Sequence, residues 1–343
     1  MGELHTVTVR TPDRTYPVFV GPGARNSLAA VIPAGARRVA VVTQEGVPSS
    51  MVPVLGGHEV HVHTIGAGEE QKSLATVERL CREFSRNGMT RADVVVGVGG
   101  GMVTDVAGFT AASYHRGIAV MHVATSLLGM IDAAVGGKTG VNIPEGKNLI
   151  GAFWQPSAVA CDTEALDTLP AREMRCGTGE MAKYHFIARE DLSSLGLVER
   201  IARSVEIKAA IVEADERESG ERALLNYGHT LGHALETVTG YSVAHGEAVA
   251  FGLLYAAHLA HVLGRIDSAR VEDHYRVVRD VYGLATAAPD VRFADLLTEM
   301  RRDKKAVSSL TFVLDSAAGL AVVPGVDESA ATRAWEAYRN ANP

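Results

Sequence analysis

At 343 residues, with 47% hydrophobic and 21% charged side chains, the chain is long enough for two globular cores and too apolar to be intrinsically disordered. A formal charge of −7 excludes general affinity for nucleic acid or an anionic membrane, so any anionic ligand must meet a local basic cluster. Three cysteines, Cys81, Cys161 and Cys176, have neither a disulfide count nor a metal-type spacing, which makes them core residues of a protein in a reducing, cytoplasmic compartment.

The N-terminus has no basic segment followed by an apolar one, so no secretory signal is expected. Gly2 and Thr6 fit a loose myristoylation pattern, but Thr6 to Val9 read better as the start of a strand. Residues 6–20 hold two apolar runs, TVTVR and YPVFV, around the turn-rich Thr11-Pro12-Asp13-Arg14, which predicts a strand pair at a sheet edge. Further strands are predicted at 38–43, 60–65 and 93–98, separated by helical stretches such as 74–87, and at 118–124 and 158–161. Apolar strands alternating with helices mean a parallel sheet covered on both faces, in a first domain ending near Leu169-Pro170. Beyond it, periodic runs at 172–187, 192–216, 223–237, 248–263 and 268–282 predict a mostly helical second half, with a hairpin at 310–323 around Ala317-Ala318-Gly319. The uncharged run 248–264 is interrupted by His258 and His261 and is too short to span a bilayer.

Three stretches carry chemistry. Strand 93–98 runs into Gly99-Gly100-Gly101-Met102-Val103-Thr104-Asp105, where glycines at a strand-to-helix turn let backbone N–H groups approach a pyrophosphate. The spacing differs from GxGxxG, so a turn built only for tight packing is the competing reading. Residues 125–156 set Asp132, Lys138, Lys147 and Asn148 among glycines and small apolar residues; such charges need partners, a phosphate or carboxylate for the lysines, unless they are solvated loop residues. Residues 224–247, LLNYGHTLGHALETVTGYSVAHGE, place His229 and His233 four apart on one helical face, with His245 returning from a loop closed by Gly246. That trio suits a divalent cation, or else a half-buried helix whose histidines meet carbonyls. Glu180, on the helix that also carries Glu173 and Lys183, is the candidate for a further ligand.

The GGG-x-x-x-D turn, VGGKTGVN-x-x-x-GKN-x-IGAF-x-QP, the GE-x-x-K helix, LN-x-GHT-x-GHA-x-E and HGEAV together resemble 3-dehydroquinate synthase, of the sugar phosphate cyclase superfamily, over almost the whole chain. The resemblance implies a Rossmann-like α/β NAD-binding domain (1–170), an α-helical metal- and substrate-binding domain (171–343), an active site in the cleft between them, and a homodimer. It implies zinc or cobalt on Glu180, His229 and His245, which makes His233 a substrate or proton-relay residue and not a ligand. It implies NAD contacts at Gly100, Gly101, Asp105, Thr125, Ser126, Asp132, Lys147, Thr168, Leu169 and Glu173, with Glu70 and Lys72 near the adenosine. Catalytic positions would be Lys138, Lys183, Glu218, Asn226 and His233, and substrate contacts Arg116, Asn148, Lys208, Arg222 and one of Lys304 or Lys305. Arg116 would reach across the dimer.

The implied reaction is the shikimate-pathway conversion of 3-deoxy-D-arabino-heptulosonate 7-phosphate to 3-dehydroquinate and phosphate, by transient oxidation, elimination, reduction and aldol closure. Ser126, where a second threonine is common, and Ala165, where a bulkier residue often stands, depart from the pattern. Lys183-Tyr184-His185-Phe186, expected as a wall beside the metal, resembles relatives that use aminated substrates and makes 3-aminodehydroquinate synthase the alternative. Lys138, Asn148, Asn226 and His233 keep the dehydroquinate pattern, against a valiolone-forming enzyme. A metal-dependent polyol dehydrogenase is the more distant rival; it has no need of so many anion-binding residues. A non-catalytic NAD- or sugar-sensing relative would be expected to lack a ligand or Lys138, and neither is missing.

Overall fold

The computed structural model describes residues 4–302 and 310–341, and the chain divides into two compact units. The first comprises residues 1–174 and 196–217, the second 175–195 and 218–343.

The first unit is built on a seven-stranded sheet. β1 (His5–Arg10) and β2 (Thr15–Gly21) form the antiparallel edge pair expected around the Thr11–Arg14 turn. β3 (Arg38–Gln44), β4 (Glu59–Ile65), α1 (Leu74–Arg86), β5 (Val94–Gly99), α2 (Gly101–Ser113), β6 (Ala119–Ala124), β7 (Lys138–Ile143), β8 (Gly146–Phe153) and β9 (Ala158–Asp162) follow. The sheet order is β1-β2-β9-β6-β5-β3-β4, with every pair parallel except β1 with β2. β5 is VVVGVG, buried at every position, as a parallel strand covered on both faces must be. α1 turns Val77, Leu80 and Phe84 inward at i, i+3 and i+7, and Ser73 caps it by accepting from Thr76 N.

β7 and β8 form a separate antiparallel hairpin where the sequence suggested glycine turns and loop lysines. Its strands read KTGVNI and GKNLIGAF, too polar and glycine-rich to announce themselves; they close because Gly140 and Gly151 let the two backbones meet, an added Cβ at Gly151 lying 2.1 Å from the Thr139 carbonyl oxygen. After α3 (Ala171–Ala188), α4 (Leu197–Ala214) packs on β1 and belongs with the first unit, although it lies beyond the expected boundary at Pro170. Polar anchors hold it there: Glu213 accepts from Arg10 N at 2.9 Å, and Lys208 reaches the Asp132 turn.

The second unit is mainly helical: α5 (His229–Val238), α6 (His245–Val262), α7 (Ser268–Tyr275), α8 (Phe293–Arg302) and α9 (Glu328–Ala341), with a hairpin of β10 (Leu310–Leu314) and β11 (Ala321–Val326). The single helix expected at 223–237 is broken into a 3-10 turn, Glu221–Asn226, and α5, because Gly228 adopts φ 82. α6 starts at His245, where a loop was expected. Its core face carries Leu253, Leu254 and Tyr255, and no helix among the described residues is long and apolar enough to cross a membrane.

Candidate functional site

In the second unit the three expected ligands converge because glycines let three helices touch. A Cβ on Gly179 of α3 would lie 2.0 Å from the Gly246 carbonyl oxygen, and one on Gly246 of α6 would lie 1.8 Å from that of Cys176. Gly252 of α6 meets the Gly228 carbonyl as closely, at 1.8 Å. Glu180, His229 and His245 each follow or precede one of these glycines, so backbone contact brings their side chains together. Glu180 Oε1 lies 3.0 Å from His229 Nε2 and 2.9 Å from His245 Nε2, and the three donor atoms fall within 4.8 Å of one another.

Lys183, one turn along α3, is ion-paired with the other Glu180 oxygen; both residues are buried. Burial pushes the Glu180 carboxyl up, but Lys183 and then His229 outweigh it and hold the group well below its usual range. Burial pushes the His229 imidazole below its ordinary value, against the pull of Glu180. His245 is also penalised by burial, yet Glu180 and Glu236 on either side push it up to about 10. A divalent cation can displace that proton at the same atoms. Two imidazole nitrogens and one carboxylate oxygen suit zinc or cobalt with coordination left open, so the residues fit the group.

His233 stands exposed one turn beyond His229, its ring 5.3 Å from that of His229 and 5.9 Å from that of His245. Asn226 Nδ2 donates to Glu218 Oε1 at 3.1 Å, with Glu218 itself at φ 60, and Arg222 is buried in the preceding turn. Lys304 and Lys305 lie outside the described residues. The stretch Tyr184, His185 and Phe186, expected as a wall, is instead buried. Phe186 stacks on His274 with centroids 4.0 Å apart, Tyr227 OH donates to His274 Nε2 at 2.7 Å, and the Tyr227 carbonyl lies 3.2 Å from His229 Nδ1. Apart from Lys183, this segment reaches His229 through packing and hydrogen bonds.

In the first unit, Gly100 caps α2, Gly101 opens it, and Asp105 follows one turn in. Lys72, buried, donates to Asp105 Oδ2 at 2.5 Å, while burial pushes the Asp105 carboxyl up to about 6 against that lysine's pull. Thr125 N donates to Gly99 O at 2.9 Å and Ser126 Oγ accepts from Gly129 N at 3.1 Å, so the end of β6 closes over the glycine turn. A helix N-terminus beside small residues is a place that could take a pyrophosphate. Asp132 holds Lys208 through its carboxylate and its carbonyl, each at 2.5 Å, which joins a residue expected at the cofactor to one expected at the substrate.

Lys138 is exposed at the start of β7, and Lys147 and Asn148 are exposed on β8. Asn142, which sequence reasoning did not single out, ties this hairpin down: its Oδ1 accepts from Asn148 N at 2.9 Å, its Nδ2 donates to Glu69 Oε1 at 2.7 Å and its N donates to Lys72 O at 2.8 Å. Glu70 is exposed beside it. Arg116 lies on an exposed tip where His115 and Arg116 take φ 51 and 64, a strained pair for residues with side chains. Thr168 and Leu169 end a 3-10 turn and Glu173 is in the first turn of α3.

The 3-dehydroquinate synthase N-terminal model matches residues 62–176 and the C-terminal model residues 177–306. The chain belongs to the 3-dehydroquinate synthase family. Within that family it is 53% identical over 323 residues to a protein of Amycolatopsis mediterranei S699 named "Putative aminodehydroquinate synthase", covering 94% of this chain and 91% of the relative. It is 40% identical over 351 residues to the 3-dehydroquinate synthase of Thermobifida fusca YX, covering 96% and 95%. Among solved structures, 2-deoxy-scyllo-inosose synthase complexed with carbaglucose-6-phosphate, NAD+ and Co2+ superposes with a TM-score of 0.86 at 26% identity, covering 98% of this chain and 100% of that one.

Proposed function

We propose that the chain is an aminodehydroquinate synthase, which closes the amino analogue of 3-deoxy-D-arabino-heptulosonate 7-phosphate to a carbocycle with loss of phosphate. The observation that carries this is the contrast between 53% identity to the Amycolatopsis relative and 40% to the Thermobifida 3-dehydroquinate synthase over nearly the same span. It reverses the order of the two substrates that the residues suggested. The oxygen substrate is the second reading, favoured by Lys138, Asn148, Asn226 and His233.

A divalent ion held by Glu180, His229 and His245 would supply Lewis acidity at substrate hydroxyls, and NAD at the Gly100–Asp105 turn a hydride acceptor that returns what it takes. Lys138, Lys208, Arg222, Arg116, Asn148 and the late lysine pair would meet the substrate phosphate and carboxylate with charge-assisted hydrogen bonds. Lys183 keeps the Glu180 carboxylate ionised. Asn226 and Glu218 would orient a ring hydroxyl, and His233 would carry its proton. A homodimer, with Arg116 reaching the second site, belongs to the same reading.

With catalytic NAD+, phosphate is expected to accumulate over many turnovers while NADH absorbance stays flat, and kcat/KM for the amino substrate to exceed that for the oxygen substrate by about tenfold or more, the equivalent of one lost hydrogen bond. Equal or reversed preference would return the chain to dehydroquinate synthesis, and stoichiometric NADH would make it a dehydrogenase. Lys138→Ala is expected to lower kcat by about 10²-fold, the scale of one lost electrostatic contact to a developing charge, with NAD affinity unchanged by titration. Near-normal kinetics would reduce Lys138 to a solvated strand residue.

A further inference from the structure

α5 carries His229, His233 and Glu236 at i, i+4 and i+7, one stripe of the helix facing the start of α6. Glu236 is buried, and its Oε2 lies 2.9 Å from His245 Nδ1, while His245 Nε2 lies 2.9 Å from Glu180. His245 therefore belongs to two overlapping groups, Glu180–His229–His245 and His233–Glu236–His245, with its Nε2 toward Glu180 and its Nδ1 toward Glu236. We infer that Glu236 is a positioning residue: it accepts the Nδ1–H of His245, fixes the tautomer, and aims the Nε2 lone pair at the ion. The inference rests on the proposed ligand set.

His229 has the same arrangement. Its Nδ1 faces the Tyr227 carbonyl at 3.2 Å, so it too carries its proton on Nδ1 and presents Nε2 to Glu180. Both imidazoles are thus held from behind, one by a backbone oxygen and one by a carboxylate, the usual support for a metal-bound histidine. The rival assignment, an ion on His233, Glu236 and His245, would take the exposed His233 and leave the His229 Nε2 and the buried Glu180 outside the coordination. A carboxylate behind His245 has an added effect: it strengthens the imidazole as a donor, which a carbonyl does less.

Cobalt(II) affinity, measured by chelator competition, and the cobalt d–d absorption band decide between these. Wild type is expected to bind one ion, and Glu180→Ala and His229→Ala to abolish binding; retention in both would overturn the ligand set and not merely the role of Glu236. Glu236→Gln, the same size but uncharged, is expected to weaken cobalt binding about tenfold and to shift the band, and Glu236→Leu to approach 100-fold, the range for a lost supporting partner. His233→Ala should leave affinity and spectrum unchanged. Glu236→Gln with affinity within twofold of wild type and an unshifted band would overturn the inference, and so would loss of the ion in His233→Ala. Should Glu236→Leu fail to fold, the isosteric glutamine variant alone decides.

Discussion

Glu180→Gln is expected to lose metal binding and turnover together and to destabilise the fold by about 3 kcal/mol, the lower end of the cost of breaking a buried ion pair. The substitution keeps the volume and removes only the charge. Glu180 and Lys183 are both buried on α3, one turn apart, and the ammonium was accommodated there against this carboxylate. Without it the lysine is left with weaker neutral acceptors, or takes up water by loosening the helix. Urea unfolding in the presence of chelator separates the fold effect from the loss of the ion. The double variant Glu180→Gln with Lys183→Met should recover most of the stability and none of the metal affinity, since a packed apolar side chain commonly replaces a buried ion pair at little cost. A glutamine variant as stable as wild type would mean that the pair contributes nothing to folding.

Gly246→Ala is expected to cost about 3 kcal/mol or more, at the upper end for overpacking, and to abolish metal binding although no ligand is altered. The new methyl would stand 1.8 Å from the carbonyl oxygen of Cys176, a backbone atom that cannot swing aside as a side chain can. Relief requires α3 and α6 to separate, which draws Glu180 away from His245. Gly56→Ala, where an added Cβ meets nothing within 4 Å, is the control and should be neutral in thermal melts. If Gly246→Ala melts with wild-type Tm and binds cobalt normally, close helix contact is not what assembles the ligands.

The strands of the first unit were legible because β5 is a continuous apolar run and β3 and β6 are mostly apolar, between turn residues, and such runs have few other ways to bury themselves. Glu180, His229 and His245 were legible as a set only through the family's motifs; spacing alone had put His233 with the other histidines. Three things did not show. The β7–β8 hairpin is held by a glycine–glycine approach between strands, a contact between distant positions that leaves no period in either segment. The placement of α4 with the first unit rests on its packing against β1 and on Lys208 meeting Asp132, again long-range pairings. Glu236 did have a signal, the i, i+4, i+7 stripe of GHTLGHALE, which looks like an ordinary helix until a second element is known to face it. The helix end at Val238 and the turn through Gly240 and Tyr241, both at positive φ, bring that element back.

His229 and His245 are each the first residue of a helix, α5 and α6, so both hold their rings where a positive helix end points. Glu180 and Glu236 against Lys183 leave one negative charge, which a protonated His245 balances, and a divalent ion in place of that proton would make the place positive. The loaded centre is then a small cationic region on a chain whose net charge is −7. The proposed substrate, carrying phosphate and carboxylate, would approach such a molecule against a repulsive far field and be drawn in only near the end of its path. Dissolved ions damp these two effects unequally, since the Debye length of about 8 Å at physiological ionic strength lies well inside the reach of the far field and well outside contact distance. On the proposed function, ionic strength would thus remove the repulsion that rejects anions at long range before it weakens the attraction at the centre, and salt would become part of how the substrate is collected.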